Sequence, residues 1–372
     1  MVRLPARIGV LALTCVLAAP VAGSAQVFND SHFHLTNYVQ EGTDIRKLVA
    51  LMGTTVGRST LFGIPLQQQW SHRITGDFAP TYYLDSDAKL YYYSFTDAHI
   101  ATVYNSLPAE LKQRFDPMIT GFNPTDMYAA DHIRRVLQTF PGVFTGIGEF
   151  TIHKEFVSSK IAGDVASLVD PALDRILEFA GEAGLVVILH NDIATPFFDP
   201  GSLVNNPTAY DFKQPEDSVA PINFKQMKDL LRRHPNTTII WAHVGLGRII
   251  HPLPNHAVFI EEMLKLPEFR HVHFDISWDE VAKYVVQTPA TVQRVAAMIE
   301  RYPDRFLFGT DVVAPQDTAK YFRTYHLYQP LWDALDPDTR GQVSRGNYER
   351  LFDAARRRVR NWERTHASQV AR

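Results

Sequence analysis

Short apolar runs alternate with amphipathic stretches along almost the whole chain. Eight runs read as strands: 27–35, 58–64, 115–122, 143–152, 185–191, 237–244, 271–278 and 306–313. They are β-branched and apolar on both faces, as expected of strands covered on both sides by helices. Helical patterns stand between them at 46–52, 126–140, 171–183, 223–234, 256–266 and 290–302, and more helix follows the eighth strand. Pro171 suits a first helical turn, where its missing N–H has no partner to lose. Eight strands with intervening helices predict an α/β fold, a single (β/α)8 TIM barrel. Two connections, 67–94 and 195–221, are long for a compact barrel and read as lids or binding loops. In the first, Tyr82, Tyr83, Tyr91, Tyr92 and Tyr93 suit an aromatic lid or the packed start of a helix.

The extreme N-terminus stands apart from this pattern. Arg3 and Arg7 precede an apolar run over 8–19, and Ala22-Gly23-Ser24-Ala25 supplies small residues before a cleavage point. The run is short for a bilayer span. Residues 1–25 therefore read as a secretory signal peptide, with 26–372 as the barrel domain, and the expected location is periplasmic or secreted. An uncleaved anchor is the other reading. No second long apolar run follows, so no membrane association is expected after cleavage.

Composition narrows the chemistry. The 372 residues are 45% hydrophobic and 21% charged, with a formal net charge of −3. The signal segment carries Arg3 and Arg7 and no acid, so its removal takes −3 to −5. Neither value, nor any basic stripe, suits a nucleic-acid partner, and a small-molecule substrate is expected instead. The one cysteine, Cys15, lies in the signal segment, which excludes a disulfide framework and a thiolate metal site. The fifteen histidines are the figure that invites a question.

A barrel carries its active site at the C-terminal ends of its strands. Strand one ends Asp30-Ser31-His32-Phe33-His34, and residues two apart share a face, so His32 and His34 point together. Strand five ends in His190, strand six in His243, and strand eight in Gly309-Thr310-Asp311. Each is an apolar run closed by one His or Asp. A single such ending is ordinary, but four in the order His-x-His, His, His, Asp form a pattern of metal-ligand types.

This ordered set resembles the amidohydrolase superfamily of metal-dependent barrels, from Asp30 through the tail Gly346-Asn347-Tyr348-Glu349-Arg350-Leu351-Phe352. That tail is similar to the Gly-Asn-x-x-x-Leu-Phe segment of a branch holding hydrolases and relatives of aminocarboxymuconate semialdehyde decarboxylase. The resemblance implies His32, His34 and His190 as metal ligands, and Asp311 as a ligand that also handles the proton of the attacking water. It makes His243 either a ligand to a second ion or an acid/base beside the first. Many members bridge two ions with a carboxylated Lys on strand four. Here no Lys occupies that end, and Lys154 lies beyond it. Glu149, in an Ile-Gly-Glu run similar to that of metal-dependent deoxyribonucleases, either bridges two ions or orients a ligand histidine. His153 reads as a loop histidine or a substrate contact. One or two divalent ions are implied, Zn2+ before Mn2+ or Fe2+, because the donors are imidazole and carboxylate.

Arg248, Asp275 and Trp278 are candidate substrate contacts near strand ends six and seven, with Arg58 and Trp70 after strand two. The expected activity is hydrolysis of an ester, lactone, amide or phosphoester. Decarboxylation or hydration within the same branch, and a non-catalytic metal-binding barrel, are the alternatives. Dimers are common among proteins of this type, so a homodimer is open.

Overall fold

The computed structural model describes residues 26–65, 95–154, 166–193, 221–247 and 255–366, together with two short strands at Gln68–Gln69 and Tyr83–Leu84. Eight parallel strands form one curled sheet in chain order: β1 Phe28–Asp30, β2 Val56–Leu61, β3 Phe115–Ile119, β4 Gly146–Thr151, β5 Val186–His190, β6 Ile239–Trp241, β7 Val272–Asp275 and β8 Phe306–Leu307. Registers such as Val187↔Ile239 and Phe274↔Phe306 carry the pairing round. The seam between β8 and β1 is closed less regularly. Ser31 N–H donates to the Phe308 carbonyl at 3.1 Å, and beyond it Phe33–His34 pairs in parallel with Val312–Val313. The fold is a TIM barrel. The predicted single run over 27–35 is thus two short strands, and His32 sits in the break between them.

Among the described residues a principal helix follows each strand on the outside: α1 Ile45–Met52, α2 Phe95–Asn105, α3 Ala129–Thr139, α4 Pro171–Ala183, α5 Ile222–Arg233, α6 His256–Lys265, α7 Pro289–Arg301 and α8 Asn347–His366, with further helices at Ala109–Lys112, Asp279–Val285 and between α7 and α8. Local chemistry sets several of the boundaries. The Asp170 carboxylate accepts from Ala172 N–H ahead of Pro171, and Gly184 at φ 80 ends the same helix. Leu173, Ile176, Leu177 and Ala180 recur at helical spacing and are buried against the sheet. Among the described residues no helix is long and apolar enough to cross a membrane.

Two apolar clusters result. The larger lies between strands and helices and takes Val187, Leu189, Trp241 and Phe274 from the outer faces of the strands. The smaller fills the barrel and contains Met118, Val186, Ile188, Ile240, Ala242 and Leu307. Tyr348, Leu351 and Phe352 of α8 join this inner cluster. The Gly-Asn-x-x-x-Leu-Phe tail therefore has a mechanical meaning: Asn347 Nδ2 donates to the carbonyls of Pro303 and Phe306 at 2.7 and 2.8 Å, and the following side chains plug the barrel.

Arg58 belongs to this closed end and not to a substrate pocket. It pairs with Asp116 at 2.7 Å and Asp353 at 2.5 Å, and its guanidinium lies 5.3 Å from the Tyr348 ring centroid. Trp70, Arg248, most of the two long connections and the signal segment lie outside the described residues.

Candidate metal centre

The alternation of β5 places its last residue. Val186 and Ile188 point into the barrel, so His190, two further on, points in as well. On β6 the same rule turns Ala242 inward and would turn His243 away. The chain instead makes a tight turn in which His243 and Val244 take φ 56 and 48, and this returns the His243 ring to the interior. Asp311 follows β8 at φ 51. Left-handed backbone at non-glycine residues is uncommon and costs free energy, and here it recurs at residues that face one centre. Gly309 and Gly148 provide the room. A Cβ on Gly309 would meet the His32 Cβ at 2.6 Å, and one on Gly148 (φ 104) would collide with the Ile188 carbonyl.

The structure brings together His32, His34, Glu149, His190, His243 and Asp311. Asp311 Oδ1 lies 3.1 Å from His34 Nε2 and 3.4 Å from His32 Nε2, and its Oδ2 is 3.9 Å from His243 Nε2. Glu149 stands in the middle with its two oxygens divided. Oε1 faces His190 Nδ1 at 2.6 Å and His243 Nε2 at 3.2 Å, while Oε2 faces His32 Nε2 at 3.5 Å and His34 Nε2 at 3.6 Å. Two groups of three have donor atoms within 4.8 Å of one another: His32, His34 and Asp311, and His32, Glu149 and His243. Five of the six residues are buried, and Asp311 is intermediate with its side chain 9% exposed.

The outer nitrogens of three of these rings are tied down. His32 Nδ1 lies 2.9 Å from Asp275 Oδ2, His190 Nε2 lies 2.9 Å from Asp192 Oδ1, and His243 Nδ1 lies 2.9 Å from Ser277 Oγ. Ser277 Oγ in turn gives its proton to Asp275 Oδ1 in a short hydrogen bond, so it accepts from the His243 ring. An imidazole that donates its outer N–H keeps a lone pair on the other nitrogen, which here faces the centre.

A cation fits this arrangement better than protons do. Burial pushes His32 down, yet Asp275, Asp311 and Glu149 hold it well above its ordinary value, so the centre draws positive charge. Its Nε2 is nevertheless buried without a hydrogen-bond partner. His34 Nε2 and His190 Nδ1 hydrogen-bond Asp311 and Glu149 directly, whereas the His32 Nε2 beside them has no such partner. Burial pushes Asp311 up, but the charge of His32 and a hydrogen bond from His34 keep it ionised, below the usual carboxylate range. Burial pushes Glu149 up in the same way, and the Lys154 ammonium and His32 bring it well below. His243 is lowered by burial and stays neutral.

Asp275, read from the sequence as a candidate substrate contact, stands behind the rings. It is fully buried, with Oδ2 toward His32 and Oδ1 accepting from His243 N–H at 2.8 Å and Ser277 N–H at 3.2 Å, so it orients two of the rings. Lys154 lies beyond the strand end, yet it acts on Glu149 directly. Trp278 lies against the His243 ring at a centroid distance of 4.9 Å. Burial lowers His153, whose carbonyl accepts from Asp192 N–H. The sequence pattern does not single out Ser277 or Asp192. Asp192 is the more legible of the two, since it follows His190 at a spacing of two.

A parallel barrel with imidazoles and carboxylates converging at its C-terminal end defines a class of metal-dependent barrel enzymes. The chain belongs to the amidohydrolase family, whose model matches residues 30–354. It is a metal-dependent enzyme of that superfamily. No protein of curated function matches the sequence. Among solved structures it is similar to an uncharacterised TIM-barrel protein from Bordetella bronchiseptica, at 16% identity over 88% of this chain and 99% of that one, with a TM-score of 0.51. It is also similar to 2,6-dihydroxybenzoate decarboxylase from Rhizobium, at 15% identity over 88% and 98%, with a TM-score of 0.52. At such identity the likeness is one of fold.

Proposed function

We propose that the chain is an exported hydrolase with a two-ion centre, which cleaves an ester, lactone, amide or phosphoester bond of a small molecule. The observation that carries this reading is the division of Glu149: one oxygen serves His190 and His243, the other His32 and His34. A carboxylate that merely oriented one histidine would not need to face four. In this reading His32, His34 and Asp311 would hold one ion and His190 and His243 the other, with Glu149 shared between them. The nitrogen and oxygen donors suit Zn2+, with Mn2+ and Fe2+ as substitutes. Bound there, the ions supply Lewis acidity and bring the pKa of water down to about 7.

The protein's own groups do the rest. Asp311 keeps Oδ1 against His34 and His32, so Oδ2, toward His243, is the oxygen placed to take a proton from the attacking water. That proton passes from Asp311 to the departing alkoxide or amine, which balances the hydrolysis. Asp275, Ser277 and Asp192 hold the rings in the required tautomer. Export rests on the Arg3/Arg7 segment, the apolar run behind it and the small residues that end at Ala25, and fits an enzyme acting on compounds outside the cell.

The test is a panel of chromogenic esters, lactones and phosphodiesters with zinc-loaded protein. Cleavage of at least one, lost in Asp311→Asn, is expected. Release of carbon dioxide from an aromatic or dienoic acid, with no bond of the panel cleaved, would replace hydrolysis by decarboxylation.

A further inference from the structure

A recess of about 370 Å³ lies between the sheet and three helices, α6, Asp279–Val285 and α7. Val244, Leu246, Ile276 and Phe306 line it from the sheet side, and Ile260 and Met298 from the helices. All six are buried and belong to the apolar cluster outside the strands. The recess is therefore behind the barrel wall and not at the mouth that holds the metal ligands. Protein interiors are close-packed, with few voids larger than a water molecule. A space of this size falls in the range of small-ligand pockets, about 300–1,000 Å³. An apolar one stays dry and takes an apolar guest. The rim differs in kind. Gln287 and Arg294 border the recess and are exposed. The other Lys and Arg side chains of these helices are paired, Lys265 and Arg301 with Glu261 and Lys283 with Glu280. Arg294 has no ion-pair partner among the described residues, and no Asp or Glu lines the recess.

We propose that this recess is a second binding site, for an anionic amphiphile: an unbranched alkyl tail fills the apolar space and a carboxylate head meets the Arg294 guanidinium at the rim. The ligand is distinct from the substrate, and the proposal does not depend on which reaction the metal centre performs. The tail gains free energy by leaving water, and the head stays at the surface, where its charge is not buried. Such a ligand packs against the back of the turn that aims His243. Val244, in that turn at φ 48, lines the recess, and its carbonyl accepts from Nε2 of His256, which lines it too.

The test is calorimetric titration of zinc-loaded protein with butanoate, hexanoate and octanoate, and with octanol, all kept monomeric. Affinity is expected to rise about three- to fourfold per methylene along the acids. Octanoate should bind about two- to fivefold tighter than octanol, because the Arg294 pair is solvent-exposed. Arg294→Gln should remove that preference and keep the dependence on chain length. Ala257→Leu puts a larger side chain into the recess from a half-buried position on α6 and should weaken octanoate about tenfold or more. Arg294 is exposed, so its variant tests the proposal even if Ala257→Leu disturbs packing. Acids that bind with no dependence on chain length are held by the metal and overturn the proposal, as does a failure of octanoate to bind. A preference for octanoate that survives Arg294→Gln, or octanoate affinity unchanged in Ala257→Leu, overturns it as well.

Discussion

His32 Nδ1 and Asp275 Oδ2 meet at 2.9 Å inside the barrel, although 243 residues separate them in the chain. The contact turns the other nitrogen of the ring, Nε2, toward Glu149 and Asp311. Asp275 also takes His243 N–H and Ser277, so one carboxylate sets two rings. Asp275→Asn replaces one acceptor oxygen by a donor and leaves at least one of these bonds unmade. Metal affinity should fall about 10- to 100-fold. Competition with a chelator measures it, with far-UV circular dichroism unchanged.

Asp311→Asn removes the oxygen placed to accept a proton while keeping the shape of the side chain. Turnover should fall by about 10²–10⁴ in kcat, with a smaller change in KM. Steady-state kinetics on any ester from the panel checks it. A kcat within about threefold of wild type would remove Asp311 from the proton path.

Acid should destabilise the fold through two buried histidines outside the ligand set. Burial lowers His256 to about 4 and His273 to about 3, from an ordinary value near 6.5. Both pKa values are depressed, so the stabilisation is complete above about pH 6.5 and is lost as pH falls toward 4 and 3. It amounts to a few kcal/mol in order of magnitude. His256 Nε2–H donates to the Val244 carbonyl at 2.9 Å. His256→Gln keeps an N–H for that carbonyl but does not titrate. Urea midpoints at pH 7.5 and 5 should therefore differ less in the variant than in the wild type.

Gly148→Ala should cost about 2 kcal/mol or more, or prevent folding. Its φ of 104 disfavours any side chain, and the new Cβ meets the Ile188 carbonyl. The midpoint of denaturant unfolding measures it. Because Gly148 precedes Glu149, metal content should fall with stability.

The barrel is legible in the sequence because its strands and helices obey different periods. The span of α4 is readable to the residue because Asp170, Pro171 and Gly184 mark both ends chemically. His190 is legible because period two continues Val186 and Ile188 into the interior. Strand lengths are less so: β6 is three residues, not the eight of 237–244, because the chain leaves the ladder at Ala242 for the left-handed turn that re-aims His243. Gly245, at φ 72, is the one glycine of that turn, while His243 and Val244 take positive φ without being glycine, so residue type announces only its end. Asp275 misleads for a related reason. A polar residue at a strand end suits a pocket wall and a buried orienting carboxylate equally, and the fold alone decides which. Spacing along a strand discounts Lys154, whereas its contact is made to Trp278 across the barrel mouth.

The position of Glu149 between two pairs of histidines is most directly tested by counting metal ions. Purified protein, loaded with zinc and freed of excess metal, should carry close to two ions per chain by mass-spectrometric metal analysis, and Glu149→Gln should lower that number. A value close to one in the wild type, unchanged in Glu149→Gln, would contradict the bridge and leave Glu149 as an orienting residue of a one-ion site.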